Sequence, residues 1–114
     1  MKLTALASVV VLALVSPTSH AHAQAIADDA IKAMLTGKTV NVGEDGVANY
    51  KADGAYEYFS KASGQTARGK YSIADGRVCV DFPNRQSRCD KIIKEGDTVF
   101  IVNSSGTKYK MVVR

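Results

Sequence analysis

The sequence predicts an all-β domain: about eight antiparallel strands in a meander that closes into a small barrel, preceded by an export signal and one short helix. Three observations carry this reading. Turn signals recur at a spacing of about 10 residues, the rhythm of consecutive hairpins: Gly43-Glu44-Asp45-Gly46, Asp53-Gly54, Ser63-Gly64, Asp75-Gly76, Pro83-Asn84-Arg85, Glu95-Gly96-Asp97 and Ser105-Gly106. The stretches between them are rich in Val, Ile, Tyr, Phe and Thr, which suit a pleated, half-buried surface. Within those stretches apolar and polar residues alternate, as they do on a sheet with one wet face. Two packed sheets are the alternative arrangement of the same strands.

The chain has 114 residues, 46% hydrophobic and 23% charged, enough for one core and too short for two. Lys2 and the apolar run Leu3–Val15, ended by Ser16-Pro17, form the n- and h-regions of a signal peptide over residues 1–23. The run is too short to span a bilayer, which takes about 20 apolar residues. Ala21-His22-Ala23 and Ala23-Gln24-Ala25 offer small residues at the cleavage spacing, so cleavage is expected after Ala23 or Ala25. No transmembrane segment is expected once the signal is removed, and the predicted location is periplasmic or secreted.

Removal of the signal also removes His20 and His22, the only histidines. With one pair of Cys and no Trp remaining, most catalytic and metal-binding constellations lack their parts. Loss of Lys2 leaves 14 basic residues of the original 15 against 11 acidic ones, a net charge of +3. That mild basicity acts mainly on solubility and helps contact with anionic surfaces.

The helix is expected at Ala25–Leu35, within residues 24–37, with Ile26, Ala30, Ala33 and Met34 as its apolar face. Asp28 and Asp29 favour its first turn and Gly37 its end. The β domain then runs from 38 to 114. Its candidate strands are Lys38–Val42, Val47–Ala52, Ala55–Ser60, Ala67–Ile73, Arg77–Phe82, Ser87–Lys94, Thr98–Asn103 and Thr107–Val113. Inward stripes are Tyr56/Tyr58, Tyr71/Ile73, Val78/Val80/Phe82 and Tyr109/Met111/Val113. Val99-Phe100-Ile101-Val102 is apolar on both faces, so a second cover is needed, and the helix is the expected one.

Cys79 and Cys89, separated by VDFPNRQSR in an exported chain, predict one disulfide. Closing so short a loop stabilises by about 3 kcal/mol on the chain-entropy model. If the two face each other across a hairpin with its tip near Asn84, Asp81 meets Ser87 and Arg77 meets Lys91. The second of these is an unfavourable like-charge pair.

The segment Gly69–Phe82, followed by Arg88-Cys89 and Gly96-Asp97, resembles small exported alphaproteobacterial proteins of unknown function. Those carry a Gly-aromatic strand, a Gly-Arg/Lys-hydrophobic-Cys strand and a second Cys, with Trp often where Tyr71 stands here. The resemblance implies a periplasmic setting and no catalytic residue. Lys61-Ala62-Ser63-Gly64 and Asn103–Tyr109 look similar to the Ser-Gly loops of periplasmic c-type lysozyme inhibitors, whose early Cys is missing here.

No enzyme is predicted. Asp81 with Asp90, or Asp45 with Asp53, can be drawn as carboxylate pairs, but turn carboxylates are ordinary surface residues. Tyr56, Tyr58, Phe59 and Tyr71 beside Arg68 and Lys70 mimic a base-stacking sheet, yet export argues for core packing and against nucleic acid. Neither cofactor nor metal is expected. The reading is a non-enzymatic binding or envelope-interaction module; the alternative is an inhibitor of lysozyme or another envelope hydrolase. The expected partner is a periplasmic or extracellular protein, or an anionic envelope component. Since small barrels are commonly filled by their own side chains, the partner is expected on a rim. Alternate turns collect Lys61, Ser63, Arg85, Arg88, Ser105 and Lys108 at one end, and Asp53, Asp75, Glu95 and Asp97 at the other. The first end is the candidate binding rim.

Overall fold

A computed structural model describes residues 23–114, so the signal-peptide assignment for residues 1–22 lies outside the described residues. The described chain runs β1 (Gln24–Ala25), α1 (Asp28–Leu35), β2 (Lys38–Val42), β3 (Gly46–Tyr50), β4 (Ala55–Ser60), β5 (Thr66–Ala74), β6 (Arg77–Asp81), β7 (Ser87–Glu95), β8 (Thr98–Val102) and β9 (Lys108–Val113). Strands β2 to β9 form an antiparallel meander in which each pairs with its neighbour in sequence. The ring closes where β9 returns to β2, with Val40 opposite Val113 and Val42 opposite Met111. Arg114 strengthens that seam through its backbone N–H to the Thr39 carbonyl and its Nε to Asn41 Oδ1. A closed ring leaves no free edge, which is how a barrel of short strands avoids edge-to-edge association.

Local chemistry explains the turns. Asp75 (φ 55°) and Gly76 (φ 72°) both sit in the left-handed region, as a two-residue type I′ hairpin demands. The β6–β7 turn uses Arg85 at φ 66°, a position where glycine is more usual. The long strands β5 and β7 are each shared between two partners. β5 pairs β4 through Thr66–Lys70 and β6 through Lys70–Ala74; β7 pairs β6 through Ser87–Lys91 and β8 through Lys91–Glu95. This stagger is the tilt that closure of a barrel requires.

The Cys79–Cys89 disulfide is present, and the hairpin register is the one expected from it: Asp81 faces Ser87 and Arg77 faces Lys91. Both cysteines belong to the outward set, because Val78 and Val80 on either side of Cys79 are buried and Cys89 stands opposite Cys79.

Two expectations about the helix change. Gln24 and Ala25 are extended, paired with Lys94 and Ile93, so the helix starts only at Asp28. The physical reason lies in β7: beyond Lys91 it has no β6 partner, and β1 takes up the vacated backbone groups. The buried helix face is Ile31 and Leu35, with Met34 and Ile26 packed at its margin, while Ala30 and Ala33 are exposed. Two large side chains one turn apart fill the end of the barrel better than two methyl groups. Asp28 holds the helix there: its carboxylate accepts from the backbone N–H groups of Asp75 (3.0 Å) and Gly76 (2.7 Å) in the β5–β6 turn.

The second face of β8 is also covered differently from expectation. Phe100 points outward beneath Lys108, whose Nζ lies 4.9 Å from the ring centroid. The helix packs instead against β2 and β5.

Candidate functional site

The inner wall follows from strand alternation. Val40 and Val42, Ala48 and Tyr50, Tyr56 and Tyr58, Val78 and Val80, Ile92, Ile101 and Met111 all face the interior. Side chains near the helix fill it: Ile31, Leu35, Val40 and Ile92 are all at most 1% exposed. Toward the other end the filling stops, and a cavity of about 600 Å³ opens, a volume in the range of small-molecule sites. The interior was expected to be full, and this is the main departure from the sequence-based reading. The barrel is therefore a cup whose filled end includes Ile31 and Leu35 of α1.

The aromatic side of the cup is built by adjacent strands. Tyr50 and Tyr56 are opposite one another in β3 and β4, with ring centroids 5.4 Å apart. Tyr71 meets Tyr50 edge-on at 5.2 Å and Phe82 meets Tyr56 edge-on at 6.4 Å, geometries that aromatic quadrupoles favour. Tyr58 lies directly over Gly46, where any larger residue would collide with its ring and hydroxyl. The Tyr71 hydroxyl donates to the Lys51 carbonyl at 2.7 Å and is thereby committed to the β3–β4 turn. Tyr50, Tyr56 and Tyr58 have no such partner among the described residues. No buried side-chain N or O there is left sealed and unpaired, so these three hydroxyls open into the cavity they line.

One ion pair stands inside. Arg88 donates from Nε to Asp90 Oδ2 at 2.8 Å and from Nη2 to Oδ1 at 3.2 Å, a two-point contact. Asp90 is buried, whereas the Arg88 side chain is half exposed toward the mouth. The hydrogen bonds to Asp90 hold the guanidinium even more firmly protonated than usual, against the opposing effect of partial burial. Burial raises the phenols of Tyr50 and Tyr56 far above their ordinary value, and raises Tyr58 as well. Phenols held this way donate hydrogen bonds at any physiological pH and do not exchange protons near neutrality.

The mouth is formed by turns. Asp45 ties the β2–β3 turn to the β4–β5 turn, accepting from Ser60 Oγ (2.9 Å) and from the backbone N–H of Ala62 (2.8 Å). Asn103 Oδ1 orders the β8–β9 turn by accepting from the N–H groups of Ser105 (3.0 Å) and Thr107 (2.9 Å), which leaves its NH2 as a donor. Glu44, Asp45, Asn103 and Tyr109 border the opening.

Of the six predicted rim residues, the structure treats two otherwise than expected. Arg88 turns inward to Asp90, and Lys108 lies along the outer wall, bonded to Glu95 at 2.9 Å. That second pair joins a residue of the basic end to one of the acidic end, so the charge polarity between ends is weakened. Lys61, Ser63, Arg85 and Ser105 are exposed. The drawn carboxylate pairs are not brought together. Asp81 belongs to the outward set and Asp90 to the inward set, while Asp45 and Asp53 sit in successive turns at opposite ends. Of the aromatic set that mimicked a stacking sheet, Tyr56, Tyr58 and Tyr71 face inward and Phe59 outward.

Arg88 and Asp90 are the site residues that sequence reasoning missed as an interior pair. The signal is in the sequence: the expected hairpin register sets Arg88 opposite Val80 and Asp90 opposite Val78, and both valines belong to an inward stripe. Among the described residues no group of three or more His, Cys, Asp or Glu is placed to hold a metal, and no helix is long and apolar enough to cross a membrane. Comparison with known proteins gives no match: no family model fits the chain, and neither a curated protein nor a solved structure is significantly similar to it.

Proposed function

We propose that this protein is a non-enzymatic binding module of the periplasm or extracellular space, and that its ligand is a small molecule held inside the barrel. The carrying observation is the cavity of about 600 Å³, open at the mouth, with polar groups converging on an otherwise apolar and aromatic wall. A location outside the cytoplasm is supported by the signal-like segment over residues 1–23 and by the disulfide. The interior chemistry supports binding over catalysis, since its phenols keep their protons and its one carboxylate is engaged by Arg88.

An uncharged solvatochromic dye such as Nile red tests this. Its emission is expected to shift to the blue and saturate on titration with the protein. Val42→Trp, which puts a large side chain into the mouth region, is expected to lower dye affinity at least tenfold. Reversing the rim charges with Lys61→Glu and Arg85→Glu is expected to leave it unchanged. Dye binding that survives Val42→Trp but is lost in the rim variant would move the site to the outer loops.

The inhibitor reading draws on one feature, the Asn103-ordered turn with Ser104 and Ser105 exposed beside the mouth. Undiminished lysis by a c-type lysozyme at excess protein removes it.

A further inference from the structure

We infer that the cavity selects a neutral, ring-bearing molecule through a hydrogen-bond acceptor on that molecule, such as a ketone, quinone or ester carbonyl. This rests on the proposal that the cavity is the ligand site, and it follows from counting which polar groups remain unengaged there. Arg88 spends Nε and one side of Nη2 on Asp90, so the Nη1 donors remain. Asn103 spends its oxygen on the β8–β9 turn and keeps its NH2. Three tyrosine hydroxyls open into the same space, and burial keeps them protonated. On the acceptor side, both oxygens of Asp90 are already taken by Arg88. The free Glu44 carboxylate lies at the exposed opening, so the unengaged polar groups deeper in the cavity are ones that can donate, and a donor left unpaired by its ligand costs binding free energy.

Charge selects against anions even so. Arg88 is neutralised by Asp90, while Glu44 and Asp45 stand at the opening with no ion pair among the described residues. An anionic ligand would pass the Glu44 and Asp45 carboxylates on entry and gain no free cation inside. Shape selects for rings. One wall is formed by Tyr50, Tyr56 and Tyr58, with Tyr71 packed edge-on against Tyr50, and Val78, Val80 and Ile101 provide aliphatic surface elsewhere around the cavity.

Three naphthalenes of nearly equal size separate these claims: acetylnaphthalene with a neutral acceptor, ethylnaphthalene with none, and naphthoate with an anionic one. Titration calorimetry of the purified protein is expected to show acetylnaphthalene binding about tenfold tighter than ethylnaphthalene, the value of one good hydrogen bond. Naphthoate is expected to bind more weakly than acetylnaphthalene. Replacing Tyr50, Tyr56 and Tyr58 together by Phe keeps the cavity's shape and is expected to cut the acetyl-over-ethyl preference severalfold, because the donors that favour the acetyl group and penalise the ethyl group are gone. Equal affinity for acetyl- and ethylnaphthalene overturns the acceptor assignment, and tightest binding of naphthoate overturns the charge assignment. In both of those cases Nile red still binds and the cavity remains the ligand site. Failure of Nile red and of all three naphthalenes removes the cavity reading itself, and the selectivity with it.

Discussion

Tyr50 and Tyr56 are buried in the barrel wall, and the cost of ionising them there is expected to appear in bulk stability. In the unfolded chain a phenol loses its proton near pH 10. In the folded protein burial pushes both values well above that, with the neighbouring phenol a lesser contribution for Tyr50. Above pH 10 the unfolded state therefore binds fewer protons than the folded one, and stability falls as pH rises; below pH 10 both states are protonated and these groups contribute no slope. Urea unfolding followed across that range is expected to show a decline above about pH 10 that is shallower in Tyr50→Phe/Tyr56→Phe. A decline of equal steepness in the variant would assign it to other groups. Gly69 makes a different kind of point at the same scale. A Cβ there would stand 2.5 Å from the Asp81 carbonyl oxygen and 3.1 Å from Val80 Cγ1, and the first of these is backbone that cannot turn aside. Gly69→Ala is expected to cost about 2 kcal/mol in denaturant unfolding. A loss within a few tenths would show that β6 yields freely.

At the scale of elements, the shortest strand has the clearest consequence. β1 consists of Gln24 and Ala25 alone, and it completes the pairing of Lys94 and Ile93 where β6 has ended. Of the two cleavage sites the sequence offers, the one after Ala25 would cut this strand away and the one after Ala23 would keep it whole. The intact mass of the exported protein is accordingly expected to correspond to a chain beginning at Gln24. A chain beginning at Ile26 would show that β1 is dispensable. Downstream, α1 works as a plug: eight residues are marginal as an isolated helix, and it persists because Ile31 and Leu35 are buried and Asp28 is bonded to the β5–β6 turn.

For the whole molecule, closure and the covalent link are separate sources of order. The disulfide joins neighbouring strands of one hairpin on the outer wall, while the ring is closed by β2 and β9, with Arg114 bonded across the seam. Removing the link with Cys79→Ala/Cys89→Ala is expected to lower stability by about 3 kcal/mol through the unfolded state. Dye affinity is expected to stay as it was, because neither cysteine faces the cavity. A large loss of affinity in a variant that is still folded would show that the hairpin shapes the cup.

All eight barrel strands were legible in the sequence because period-2 alternation and turn chemistry are local properties, set by residues within a few positions of one another. Asp75-Gly76 announces its hairpin, and the pairing of Cys79 with Cys89 predicts the register of β6 and β7. What the tertiary structure decided is everything that depends on distant strands meeting. Closure into a barrel and not two packed sheets rests on β2 finding β9 across the length of the domain. The boundary of α1 moved because β7 left backbone groups for Gln24 and Ala25 to take, and no local signal in residues 24–25 records that vacancy. The cavity is the furthest from the sequence of all, for a void is the difference between the volume a ring of eight strands encloses and the volume its inward side chains occupy. Alternation names Tyr56, Tyr58, Val78 and Val80 as inward; only the closed ring determines that they and their neighbours do not fill the space between them.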